Sequence, residues 1–146
     1  MNILIKNFLR ILKSYKFSLI LIIFFEIFYL LRGYKGFGFD FSKNSSMTDN
    51  IPCPYYFLFK IKKDLNQSSF FKLIDFGCGS GRVINFFDST FKKKKFVGIE
   101  YYDTRFKYCS KIFANKKNIQ VIKGDITKIN YLTYNADCFF IGAPLT

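Results

Sequence analysis

Glycine occupies three alternate positions, 77, 79 and 81, in the stretch LIDFGCGSGRV (73–83), directly after an apolar run that ends in an acid, Asp75. Glycine is the residue that holds left-handed backbone without strain and lets another molecule approach the main chain with no Cβ in the way. Such a turn suits the junction between a strand and the helix that follows it in an open α/β sheet, at the carboxyl edge where these folds bind ligands. The flanking sequence agrees. FKLIDF (71–76) reads as a short apolar strand, and GRVINFFDSTF (81–91) reads as a helix that buries Val83, Ile84, Phe86 and Phe87. KFVGIE (95–100) reads as a second strand, and DTRFKYCSKIFANK (103–116) as a second helix with Phe106, Cys109, Ile112 and Phe113 on one face. IQVIKGD (119–125) and ADCFFIGAP (136–144) supply a third and a fourth strand. The alternation predicts an α/β fold with a parallel sheet of about four strands and right-handed crossovers.

The amides at the start of the first of these helices offer hydrogen-bond donors and a partial positive charge, which suits a nucleotide-like ligand carrying phosphates or a carboxylate. The spacing narrows the choice. Gly77, Gly79 and Gly81 read G-x-G-x-G, and Arg82 stands where the dinucleotide motif G-x-G-x-x-G would place its last glycine. No G-K-[ST] follows, which excludes a P-loop. Asp75, two residues before the first glycine, would repel a pyrophosphate but suits a ligand with an ammonium group. The chain has no His, so nucleophile schemes built on Ser/His or Cys/His are excluded. Its four cysteines, 53, 78, 109 and 138, are scattered without zinc-ligand spacing. They read as reduced thiols, and no metal is expected.

DFGCGSG (75–81) resembles motif I of the class I S-adenosylmethionine-dependent methyltransferases, which have a Rossmann-like fold. The resemblance covers about residues 52 to 146. It implies S-adenosylmethionine as cofactor, with Gly77, Cys78, Gly79 and Gly81 forming the loop around its methionyl part and Asp75 near its amino end. Glu100, at the end of the second strand, would take the ribose hydroxyls. Gly124, Asp125 and Ile126, after the third strand, would frame the adenine. Gly142 and Pro144, at the end of the fourth, would form the acceptor-side wall. The stretch IPCPYY (51–56), together with FFIGAPL (139–145), resembles a group of membrane-anchored protein-lysine methyltransferases. That resemblance implies an amine acceptor, a protein lysine, and no catalytic base can be named. Methylation of nucleic acid is the alternative; it draws on the 14 Lys and 2 Arg that oppose 7 acids after residue 50, but GAPL departs from the D/N/S-P-P-Y/F motif expected there. A membrane-associated chain that only binds cofactor or partners is the third reading.

The rest of the chain divides into a hydrophobic N-terminal segment (1–35), a linker (36–50) and the partial methyltransferase domain (51–146). Residues 17–31, FSLILIIFFEIFYLL, are apolar except for Ser18 and Glu26 and lie between Lys16 and Arg32. The segment is expected to be a membrane-anchor helix, although at about 1.5 Å per residue it falls short of a hydrocarbon core of roughly 30 Å. Glu26 is the objection, because a carboxylate at mid-membrane is costly unless partnered. The linker is rich in Gly, Ser, Asn and Asp, with Phe at 37, 39 and 41. Cofactor and reduced thiols together place the domain on the cytoplasmic or mitochondrial-matrix side of a membrane. The formal charge of +13, almost all from dispersed Lys, reads as a solvated surface. The family continues beyond the fourth strand, so a truncated chain, or one completed by strands from a partner, is also expected.

Overall fold

The computed structural model describes residues 18–33 and 52–142. The linker, residue 17 of the expected anchor and Pro144 lie outside them. Among the described residues two helices come first, α1 (Ser18–Leu31) and α2 (Tyr55–Leu65). Then follow β1 (Lys72–Phe76), α3 (Arg82–Thr90), β2 (Lys95–Glu100), α4 (Asp103–Phe113) and β3 (Ile119–Lys123). A short 3-10 turn (Tyr131–Tyr134) leads into β4 (Cys138–Ile141).

The four strands form one parallel sheet in the order β3-β2-β1-β4. Chain order therefore runs outward from β1 to β3 and then jumps back across β1 to β4. That reversal places the carboxyl end of β1 at the switch point where open α/β sheets leave a crevice. Strand side chains alternate between faces, and the packing follows. Leu73, Phe96 and Ile119 face α2, α3 and α4, in a core with Leu58, Ile84, Phe86, Phe87 and Phe113. Ile74, Val97 and Ile99 point the other way, beside Ile122 of β3 and covered by Ile126, Ile129, Tyr134 and Ala136 from the chain leading to β4. Asp137 pins the start of β4 to β1. Its carboxylate accepts from the amides of Phe71, at 2.7 Å, and Lys72, at 2.8 Å.

The membrane-anchor expectation for residues 17–31 finds no support among the described residues. The described helix α1 has 14 residues, and among the described residues no helix is long and apolar enough to cross a membrane. One face of α1 instead lies on the domain. Phe25 meets Phe59 at 5.2 Å between ring centroids, and Tyr29 stacks on the buried Tyr55 at 4.7 Å and meets Phe86 at 5.4 Å. Glu26, the residue that argued against a bilayer, is the polar centre of this contact. Its carboxylate accepts from the Arg82 guanidinium at 3.0 and 2.9 Å and from the Tyr55 amide at 2.9 Å.

Candidate cofactor site

The glycine loop begins where β1 ends, and its course needs left-handed backbone at three positions: φ is 74° at Gly77, 53° at Gly79 and 82° at Gly81. The amides of Gly77 and Cys78 both donate to the Ile99 carbonyl, at 2.9 and 3.0 Å, which lays the loop over the end of β2. At Gly81 the backbone also passes so close to α4 that a Cβ would stand 2.5 Å from the Phe113 ring and 2.8 Å from Cys109 Sγ. Around Gly77 nothing lies within 4 Å of where a Cβ would be. Gly81 is thus required by packing as well as by its backbone angle, and Gly77, beside open space, by its backbone angle alone.

Two carboxylates share the sheet face beneath this loop. Glu100 is buried, and both its oxygens face main-chain amides: Oε2 accepts from Gly79 at 2.9 Å, and Oε1 from Tyr102 at 2.8 Å. It therefore fixes the loop to the end of β2. Asp75 is 2% exposed, and its Oδ2 has no hydrogen-bond partner. Burial, with the Glu100 charge adding to it, pushes its pKa up to about 8. An acid so placed is largely neutral at pH 7, and a cation beside it would restore its charge.

Beyond β2 and β3 lies a cleft of about 400 Å³ lined by Tyr101, Tyr102, Asp103, Lys123, Gly124 and Asp125. Gly124 lets the chain turn tightly there, since a Cβ would come within 2.2 Å of Ile129. Asp125 commits one oxygen to its own turn, accepting from the Thr127 amide at 2.9 Å and hydroxyl at 2.7 Å. Those bonds, the hydroxyl's first, hold its carboxyl below the usual range. The structure brings Asp75, Gly77, Gly79, Gly81 and Glu100 together at the switch point and sets Gly124 and Asp125 at the neighbouring cleft. Cys78 and Ile126 fall elsewhere. The Cys78 thiol lies buried 3.9 Å from Cys109 Sγ, under the loop rather than above it. Ile126 packs on the opposite sheet face and helps line a second, apolar cleft of about 370 Å³ with Phe76, Tyr131, Phe139 and Ile141. Gly142 directly follows β4, its missing Cβ 2.9 Å from the Phe140 ring.

Sequence reasoning missed Arg82. It is the first residue of α3, is 3% exposed, lies over the Tyr55 ring at 4.6 Å and holds Glu26. A compositional signal was present. After residue 50 the chain has 14 Lys but only Arg82 and Arg105 as arginines, and both are buried. Arginine presents a planar fork and is more weakly hydrated than an ammonium, so in a Lys-rich chain its rare appearances mark buried partners.

No curated protein matches the chain. Among solved structures, the plantazolicin methyltransferase BpumL, in complex with a monoazolic desmethylPZN analog and SAH, is similar at 18% identity and a TM-score of 0.41. The likeness covers 49% of this chain and 27% of that one. The N-terminal domain of EvdMO1 with SAH bound is similar at 9% identity and a TM-score of 0.46, over 53% of this chain and 33% of that one. The chain thus spans about a quarter to a third of the length of these structures. The family model described as a methyltransferase domain matches residues 73–146, from the second residue of β1 onward. Half the chain carries that match, and the chain belongs to the methyltransferase domain family, the S-adenosylmethionine-dependent class with a Rossmann-like fold.

Proposed function

We propose that the glycine loop holds S-adenosylmethionine and that the protein transfers its methyl group to an amine, a protein lysine side chain. The observation that carries the cofactor reading is the buried Asp75 with its unpartnered Oδ2 beneath a left-handed glycine turn. A buried carboxylate with no partner is costly, and an ammonium group is the partner it lacks. The open space over Gly77 gives the methionyl part a backbone to lie on. Glu100 stands at the ribose position with an acceptor lone pair beyond each of its two amide bonds. The cleft at Tyr101 and Asp125 has room for a base against an aromatic wall.

When bound, the cofactor supplies an electrophilic methyl carbon on a sulfonium. The chain's own part is to orient and exclude water. Asp75 fixes the amino end, Glu100 fixes the sugar side, and the crevice holds the donor for in-line approach by a neutral amine. Positioning of this kind supplies most of the rate in such displacements. The protein-lysine acceptor rests on the resemblance of IPCPYY (51–56) and FFIGAPL (139–145), and the four free cysteines fit the reducing compartment expected for the domain.

Incubating the protein with methyl-labelled cofactor and a cell extract tests the acceptor. Label in protein, recovered as methyl-lysine, is expected. Label found in nucleic acid or lipid and never in protein would end the lysine reading.

A further inference from the structure

Helix α1 is apolar on two sides. The face with Phe25, Glu26 and Tyr29 is spent on α2 and α3. The other carries Ile20, Ile23, Phe24, Ile27, Leu30 and Leu31, at the spacing of one helical stripe, with exposures from 49% to 82%. No charge interrupts that stripe. A contiguous exposed apolar surface of this kind marks an interaction site.

What surrounds the stripe selects the occupant. On α2, the helix against which α1 packs, Lys60 stands 4.6 Å over the Tyr56 ring and Lys62 6.0 Å over Phe59. Phe59 is itself 44% exposed, and Lys63 beside it is exposed. Arg32 follows the last turn of α1, over the Phe28 ring at 4.4 Å. The sequence before α1 adds Lys6, Arg10, Lys13 and Lys16. Docking a second copy of a chain with a formal charge of +13 would bring these cations against their like. An anionic lipid surface meets both requirements at once, with acyl chains for the stripe and headgroup charge for these cations. Crossing the bilayer is a different matter: it would strip Glu26 from Arg82 and Tyr55.

We propose that the outer face of α1, with Arg32 at its end and Lys60, Lys62 and Lys63 on the neighbouring helix, seats the domain flat on an anionic membrane surface while the inner face stays docked. The proposal is independent of the methyl acceptor and of cofactor binding.

The chain has no Trp, so Ile20→Trp and Leu31→Trp, one at each end of the stripe, are single-probe variants. The full chain is mixed with phosphatidylcholine vesicles, with or without phosphatidylglycerol, and depth is read with quenchers at known positions along the lipid. Binding about tenfold or more tighter to the anionic vesicles is expected, weakened by added salt. Both probes should sit at one shallow depth. Unequal depths would overturn the proposal in favour of a crossing helix, since the probes are roughly 16 Å apart along the axis. Absence of vesicle binding would overturn it too, as would a concentration-dependent dimer whose formation blocks vesicle binding. Phe24→Asp with Ile27→Asp should abolish vesicle binding. Unchanged binding by that variant, in a sample whose melting temperature is retained, would show that the stripe is not the membrane face.

Discussion

Asp75 gathers most of the site's electrostatic tension. Its folded pKa of about 8 lies far above the unfolded carboxylate value. Between about pH 4 and pH 8 the unfolded chain has released this proton and the folded chain has kept it. The native state then binds more protons, so this residue makes stability fall as pH rises through that window and level off above it. Asp75→Asn removes the slope. The variant's melting temperature should exceed that of the parent by a margin that grows from pH 5 to pH 8, and a margin that stays flat with pH would deny the raised pKa. The same substitution should cost cofactor affinity about a hundredfold or more, because a charged hydrogen bond to the ammonium is lost. Gly81→Ala is a packing test. A Cβ 2.5 Å from Phe113 forces α4 away from the loop, on backbone at φ 82° that alanine rarely adopts. A loss of about 1–3 kcal/mol in denaturant unfolding is expected.

At the scale of elements, most of the fold was legible because its pattern is local. The second strand was read as KFVGIE and is Lys95–Glu100. The 3-10 turn at Tyr131–Tyr134 was not foreseen, since four residues carry no period, and it is set by Asn130, whose side chain accepts from the Leu132 amide. What covers helix α1 was not legible in the sequence, for a physical reason. An all-round apolar helix looks the same whether lipid or protein covers it, and its one informative residue, Glu26, finds its partner at Arg82, 56 positions away. That pairing makes a prediction. Glu26→Leu or Arg82→Leu alone strands the other member at a partly buried site and should destabilise the fold by about 3–5 kcal/mol. Glu26→Leu combined with Arg82→Leu should recover a good part of that loss. A double variant that melts as low as the sum of the singles predicts would mean the two residues act separately.

For the whole molecule, the reversal of strand order gathers the site. Motif I and the acid at the end of β2 are 19 positions apart in sequence, and the β1–β2 pairing, with Asp75 beside Gly98, sets both carboxylates on one face under the loop. Spacing alone could foretell this, because strand, crossover and strand have nearly fixed lengths. It could not foretell that Cys78 turns down to Cys109 or that Ile126 crosses to the far face, since those depend on how the chain leaves each strand. The docked α1 adds a second consequence at this scale. Its Glu26 grips the first residue after the glycine loop, so whatever holds α1 in place also steadies the loop.

The most direct test of the central claim is calorimetric titration of the full chain with S-adenosylmethionine at pH 7, in buffers of different ionisation enthalpy, beside Asp75→Asn and Gly79→Val. Saturable binding that releases a fraction of a proton, with the release lost in Asp75→Asn and binding lost in Gly79→Val, is predicted. Absence of binding by a folded sample, or binding that Gly79→Val leaves intact, would contradict it.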